Sequence, residues 1–164
     1  MKTRILNIEN LSFQTWSHGK NFECQMGEVG GELDSKKLGF NVTVIPPGKR
    51  AFPYHAHRAN EEMFFILDGE GSIRIAGTIH KLRKGDFISL PPGPESAHQI
   101  VNDSSAPLRY LAVSTMDLPE VVEYPDSGKL GVMAGSQEGP QASSDSIRHF
   151  TRVKDGVDYW EGEK

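Results

Sequence analysis

Three residues in a short stretch of the chain have the types and spacing of a metal site. His55 and His57 are two residues apart, and Glu62 opens the apolar run that follows them. Side chains two residues apart on an extended strand point to the same face, so the two imidazoles can converge on one ion. A carboxylate at the start of the next strand could reach the same ion across a sheet.

A second segment can add another imidazole. Pro91, Pro92 and Gly93 stand together, and His98 heads the apolar stretch that follows them. Prolines followed by glycine are typical of a turn. Such a turn would deliver the chain into a strand headed by His98, which brings a third imidazole to the site.

These two segments resemble the paired signature motifs of the cupin superfamily. The first motif is matched by His55, His57, Glu62 and Gly69, with four residues between His57 and Glu62 and six between Glu62 and Gly69. The second motif is matched by Gly85, Pro91, Gly93, His98 and Asn102. The sequence departs from the motifs at two places: one extra residue stands between Gly48 and His55, and four residues rather than two separate Gly93 from His98.

The resemblance implies an all-β fold, an antiparallel jelly-roll barrel or sandwich, with a metal on its inner face. The implied ligands are His55, His57, Glu62 and His98. Three imidazoles and one carboxylate suit one divalent transition metal: Fe, Mn, Ni, Zn or Cu. Four protein ligands leave about two positions of an octahedron for water or substrate, and an open coordination sphere is typical of a catalytic site.

The implied function is that of a metal-dependent small-molecule enzyme, either a dioxygenase or a sugar or sugar-phosphate isomerase. Glu62 is the predicted catalytic residue, as metal ligand and as base. Lys49, Arg50 and Arg58 flank the first motif and are predicted to anchor an anionic group of the substrate, with an ordinary solvated rim as the alternative. The alternative function is a non-catalytic, metal-containing cupin that binds a sugar or a small carboxylic acid.

Short apolar runs between turn residues predict strands rather than helices. The 17 glycines and 10 prolines separate these runs, and no long window has a helical apolar period. The predicted strands are Phe22–Met26, 40–44, Met63–Leu67, 73–75, Asp86–Leu90, His98–Val101 and Arg109–Thr115. The phase set by Glu62 places Phe64 and Ile66 inside. Glu61, the rival carboxylate, is one residue off and so faces the other way.

One domain and an arm are predicted along the chain. Its 164 residues suit a single core. The cupin jelly-roll domain is expected over residues 1–125, with the motif core over 38–115. Residues 126–164 are expected to form a C-terminal arm that packs on the barrel or on a partner subunit. The reason is that Asp126–Ser146 is rich in Gly, Ser, Asp and Pro and lacks an apolar rhythm.

Charge and hydropathy exclude several partners. The net charge is −4, and no cluster of Lys and Arg is interleaved with aromatic residues, so nucleic acid and anionic membranes are not expected as partners. The longest apolar run, Met63–Leu67, is too short to span a bilayer. The first residues contain no apolar signal-peptide core, and the single cysteine, Cys24, cannot form an internal disulfide. These features predict a cytoplasmic protein.

A strand that is apolar on both faces predicts a further contact. Met63, Phe65 and Leu67 point outward if Glu62 points inward, yet all three are apolar. Their cover could be the C-terminal arm, the N-terminal strands or a second subunit. Cupins commonly pair as dimers through such a sheet, so the resemblance implies a homodimer.

Overall fold

The chain folds into antiparallel strands connected by turns. The computed structural model describes residues 4–135 and 146–164, and within these ranges no residue is in an α-helix. The strands are β1 (Gln14–His18), β2 (Phe22–Glu28), β3 (Leu38–Ile45), β4 (Ala56–His57), β5 (Glu62–Asp68), β6 (Glu70–Ile75), β7 (Thr78–Arg83), β8 (Phe87–Leu90), β9 (His98–Val101), β10 (Leu108–Thr115), β11 (Glu120–Tyr124), β12 (Lys129–Ala134) and β13 (Ile147–Arg152). Single 3₁₀ turns span Ile8–Asn10, Pro94–Ser96, Pro125–Ser127 and Val153–Asp155.

Two layers of strands form a jelly-roll sandwich. One layer is a six-stranded sheet in the order β1-β2-β3-β10-β5-β8. The other contains a three-stranded sheet, β7-β6-β9, and a four-stranded sheet, β13-β12-β11-β4. His55 and His98 pair across these two smaller sheets and join them. Two of the predicted metal ligands are therefore neighbours at the junction within one layer.

The core lies between the layers, because alternate residues of facing strands point inward. Its buried side chains are Cys24, Ile45, Phe64, Ile66, Ile73, Leu82, Ile88, Leu90, Ile100, Leu108 and Tyr110. Phe64 and Ile66 are buried in β5, as the phase of Glu62 predicts. The same alternation directs Glu62 inward at the start of the strand.

The turn between β5 and β6 requires glycine. Gly69 has a positive φ of 84°, which side chains rarely tolerate. A Cβ atom there would also overlap the carbonyl oxygen of Pro107. This close approach explains the glycine that ends the first motif.

The outer face of the six-stranded sheet is partly covered by the N-terminal segment. Leu11 and Phe13 lie against Gly27 of β2, at 3.4 and 3.2 Å from the position a Cβ atom would take. Phe87 remains 74% exposed, and its ring centre is 4.4 Å from that of Phe65. This segment covers the face at β2, and the cover of Met63, Phe65 and Leu67 on β5 stays a prediction.

The predicted fold class, an all-β antiparallel jelly roll, is confirmed. All seven predicted strands lie within or next to observed strands, whereas β1, β4, β7 and the strands after Thr115 are not among them. Of the segment predicted as a C-terminal arm, Lys129–Ala134 forms β12 and pairs with β11 and β13. The part of that prediction that concerns residues 136–145 lies outside the described residues, as do residues 1–3 of the N-terminus.

Candidate metal centre

Backbone pairing brings two histidines together. His55 N donates to His98 O at 3.1 Å, and His98 N donates to His55 O at 2.7 Å. Directly paired residues on antiparallel strands place their side chains on the same face. The two imidazole centres are accordingly 4.5 Å apart, and that of His57 lies 5.1 Å from that of His55.

Glu62 reaches the same point from the opposite layer. Its Oε2 atom lies 3.2 Å from Nε2 of His98 and 3.4 Å from Nε2 of His57. One potential ligand atom each from His55, Glu62 and His98 lies within 4.8 Å of the others. The structure therefore brings the four predicted ligands together, with His57 at the edge of the group. Glu61, the rival carboxylate, is exposed.

The outward-facing nitrogen of each ring has an acceptor. Nδ1 of His55 is 2.8 Å from the carbonyl oxygen of Pro53, and Nδ1 of His98 is 2.9 Å from that of Ser96. Nδ1 of His57 is 3.3 Å from a carboxylate oxygen of Glu120. The backbone carbonyl oxygens accept a hydrogen bond only from a protonated Nδ1, which leaves the Nε2 lone pair free in the neutral rings of His55 and His98. A carboxylate oxygen faces each nitrogen of His57.

Three of the inward-facing atoms have no hydrogen-bond partner. They are Nε2 of His57, Oε2 of Glu62 and Nε2 of His98, and all three are buried. Buried polar atoms are seldom left unsatisfied, because each costs about 1–3 kcal/mol. A divalent cation among them would satisfy all three, so this donor set fits a metal ion.

The electrostatics favour the protonation states that bind metal. Burial, and after it the neighbouring His98, lower the pKa of His55 to about 4, so this imidazole is neutral at pH 7. Burial raises the pKa of Glu62, but the three imidazoles outweigh burial and bring its pKa below the ordinary value. Neutral imidazoles and an ionised carboxylate are the forms that coordinate a metal.

A cavity of about 260 Å³ opens beside this cluster. Its walls are largely apolar, from Ala51, Phe52, Phe64, Ile100 and Ala112. Asn41, Gln99 and Tyr110 supply its polar groups beyond the metal-binding residues. Burial raises the pKa of Tyr110, so its hydroxyl stays protonated.

The three cations predicted to anchor an anion lie away from this cavity, since none of them lines it. Nζ of Lys49 donates to the carbonyl oxygen of Lys20 at 2.9 Å and lies 3.5 Å from the carboxylate of Glu23. The Arg58 guanidinium pairs with Glu123. The backbone of Arg50 forms isolated β-bridges with Phe22 and Val101.

Sequence reasoning did not identify Glu120. This residue begins β11, and its side chain is buried. Burial raises the pKa of Glu120, but backbone N–H donors of Ala59 and Arg58 outweigh burial and lower it. In the sequence Glu120 is a single carboxylate before Val121 and Val122, and no motif spacing relates it to His57.

The jelly-roll sandwich with histidines and a glutamate clustered on its inner face is the arrangement that the resemblance to cupins implies. Residues 41–114 match the family model described as the cupin domain. Over this segment the chain is similar to the cupin domain, and its jelly-roll fold agrees with that similarity.

Three relatives illustrate this placement. An uncharacterised protein of Methanocaldococcus jannaschii is 32% identical over 78 residues, 48% of this chain and 60% of its own length. Gentisate 1,2-dioxygenase 1 of Aquipseudomonas alcaligenes is 30% identical over 110 residues, 66% of this chain and 30% of its own length. The chain thus spans less than two thirds of either curated relative.

The third relative is a solved structure, that of a sugar phosphate isomerase of the cupin superfamily from Silicibacter pomeroyi. It aligns with a TM-score of 0.77 at 20% identity, over 92% of this chain and 94% of that chain. At this identity the likeness shows a shared fold.

In the part of the chain that the structure describes, no helix has the length and apolar composition needed to cross a membrane.

Proposed function

We propose that this protein is a metal-dependent enzyme that acts on a small molecule, with a divalent transition metal bound by His55, His57, Glu62 and His98. The observation that carries the proposal is the set of three buried, unpartnered atoms on His57, Glu62 and His98, which face one another beside a cavity. The bound metal would supply Lewis-acid or redox chemistry to a substrate in that cavity.

The walls of the cavity favour dioxygenase chemistry over sugar-phosphate isomerisation. A phosphoryl group is ordinarily bound by Arg, Lys or a helix N-terminus, and no Lys or Arg lines this cavity. Its aromatic and aliphatic walls suit a small, largely apolar substrate such as an aromatic acid or a phenol. The sequence similarity to a gentisate dioxygenase supports the same substrate class. Glu62 lines the cavity, so its carboxylate is placed to accept a proton from the substrate.

The alternative is a metal-containing protein that binds a small carboxylic acid or a sugar without turnover. Glu62 and the three histidines are the carboxylate and imidazole side chains that line the cavity. All four are needed as ligands, so no separate acid–base pair remains there for catalysis. This observation favours the alternative over an isomerase, which must move protons between carbon atoms.

The first experiment is metal analysis of the full chain, purified without chelator or nickel resin. The site variant carries Glu62→Ala and His98→Ala, and the matched control carries Glu61→Ala and His80→Ala, two exposed residues of the same types. We expect near-stoichiometric transition metal in the wild type and the control, and loss of metal in the site variant. No metal in the wild type, even after anaerobic reconstitution, would overturn the proposal.

The second experiment measures oxygen uptake by the iron-loaded protein with a panel of hydroxybenzoic acids, phenols and short carboxylic acids. Uptake that depends on both substrate and Glu62 supports the dioxygenase. Ligand binding without uptake supports the non-catalytic alternative. Conversion of a phosphorylated sugar would contradict the argument from the cavity walls.

We also propose that the protein pairs as a homodimer through the outer face of the six-stranded sheet, where Phe65 and Phe87 contact each other. The cytoplasmic location and the anion anchor at Lys49, Arg50 and Arg58 stay predictions from the sequence.

A further inference from the structure

A buried carboxylate stands directly behind one of the proposed metal ligands. Glu120 is 3% exposed, and its Oε1 atom accepts hydrogen bonds from the backbone N–H groups of Arg58 at 3.0 Å and Ala59 at 3.1 Å. These two residues follow His57 directly. One carboxylate oxygen is therefore occupied in fixing the chain immediately after the ligand.

The other oxygen of Glu120 faces the ligand itself. Oε2 accepts from the backbone N–H of Asn60 at 3.0 Å and from the Asn60 side-chain amide. Nδ1 of His57 lies 3.3 Å from the same oxygen. The amide N–H groups of Arg58, Ala59 and Asn60 donate to both oxygens whatever the tautomer of His57, so the site is built for an ionised carboxylate and not for an amide.

We propose that Glu120 is a positioning residue that sets the tautomer and the orientation of His57 for metal binding. The inference rests on the proposed function, because it concerns the same metal site. Glu120 keeps a proton of His57 on Nδ1, so that the lone pair of Nε2, 3.4 Å from Oε2 of Glu62, is available to a metal ion that binds both atoms.

The charge of Glu120 suits this role. Glu62 alone leaves a divalent cation with one uncompensated positive charge inside the protein, since neutral imidazoles contribute none. The carboxylate of Glu120 behind His57 balances that charge and makes the ring a stronger electron donor.

The residue belongs to a strand outside the matched cupin domain, which ends at residue 114. Strand β11 also pairs with β4 through Val122 and His57, and Arg58 N donates to the carbonyl oxygen of Val121 at 3.0 Å. The C-terminal extension therefore holds His57 by its backbone and by the Glu120 side chain. In this chain the support of His57 is incomplete without that extension.

The test is the Zn(II) affinity of the metal-free full chain, measured by competition with a chromophoric chelator. The variant is Glu120→Gln, and the matched control is Glu123→Gln, which removes the neighbouring ion pair with Arg58 and leaves His57 untouched. Loss of an outer partner of a ligating histidine typically weakens metal binding about 10–100-fold. We expect a loss of that size for Glu120→Gln and a change of less than about twofold for the control.

A double-mutant cycle separates positioning from general destabilisation. Glu120→Gln is compared in the wild-type and His57→Ala backgrounds, and its effect should shrink to less than about threefold when His57 is absent. An equal loss in both backgrounds would show that Glu120 acts elsewhere and would overturn the inference. A wild type that binds no Zn(II) would overturn the proposed function as well, whereas wild-type binding with unchanged affinity in Glu120→Gln would overturn this inference alone.

A measurement on the unmodified chain covers the case in which Glu120→Gln fails to fold. Long-range ¹H–¹⁵N spectra of the metal-free protein report the tautomer of each imidazole, and the signals of His57 are assigned by their absence in His57→Ala. We expect Nδ1 to carry a proton, in the neutral Nδ1–H ring or in the imidazolium. A neutral ring protonated on Nε2 alone would contradict the proposed role of Glu120.

Discussion

At the scale of single residues, each histidine of the candidate site depends on a different outer partner. The rings of His55 and His98 are held by backbone carbonyl oxygens, which any sequence can offer, whereas His57 depends on the side chain of Glu120. A side-chain partner can be replaced by mutation, whereas a backbone carbonyl oxygen can be moved only by changing the course of the chain. His57 is therefore the ligand whose properties a substitution can change most selectively.

The buried imidazole of His55 predicts that the metal-free protein is sensitive to acid. Its pKa is about 4 in the folded protein and 6.5 when exposed in an unfolded chain. Between these values the unfolded state binds more protons than the folded state. The free energy of unfolding therefore rises with pH in this range and decreases as the pH falls from 6.5 to 4. The contribution of His55 is at most about 3 kcal/mol.

Urea unfolding of the metal-free protein at several pH values measures this effect. His55→Gln should flatten the dependence between pH 6.5 and 4, whereas the exposed His80→Gln should leave it unchanged. Equal slopes for His55→Gln and the wild type would show that His55 is readily protonated in the fold.

At the scale of elements, the site depends on the phase of β5 and on the turn that ends it. Glu62, Phe64 and Ile66 share the inner face, so one register places the carboxylate at the metal and the two apolar side chains in the core. The turn at Gly69 follows at once, and Pro107 packs against its backbone. The two features together fix where β5 ends and β6 begins.

Substitution of Gly69 tests that turn. Gly69→Ala combines a positive φ with overlap of the Pro107 carbonyl oxygen, whereas Gly85→Ala has a positive φ of 93° and no atom within 4 Å of the added Cβ. We expect a cost of about 1 kcal/mol for Gly85→Ala and at least about 2 kcal/mol more for Gly69→Ala. The measurement is the free energy of unfolding in urea, and equal costs would mean that the backbone of Pro107 moves aside freely.

At the scale of the whole molecule, the two faces of the six-stranded sheet differ in burial. The inner face is buried against β6, β7 and β9, whereas the outer face is partly covered by Leu11 and Phe13. Phe87 is left 74% exposed beside Phe65. A large apolar side chain exposed in a pair of rings is typical of a contact surface.

Light scattering after size exclusion tests the proposed homodimer. We expect the mass of two chains of 18.1 kDa for the wild type and a shift toward one chain for Phe87→Glu, because a buried, unpaired charge opposes association. Ile79→Glu is the control, since Ile79 is 68% exposed on β7 of the other layer. A wild type that is monomeric at micromolar concentration would contradict the dimer.

The sequence by itself determined the elements whose signals are local. Alternating apolar residues and turn residues located the central strands, and the spacing of His55, His57, Glu62 and His98 indicated residues that the fold brings together. Local signals suffice here because side-chain alternation on a strand depends only on neighbouring positions.

The tertiary structure alone decided how those residues are supported. Glu120 lies 63 residues from its partner His57, and no periodic pattern relates two such positions. The same holds for Gly69 against Pro107, and for Lys49 and Arg58, whose partners away from the cavity follow from packing. Such contacts depend on which strands become neighbours in space. The packing of the whole sandwich, and not the sequence of any single segment, decides which strands those are.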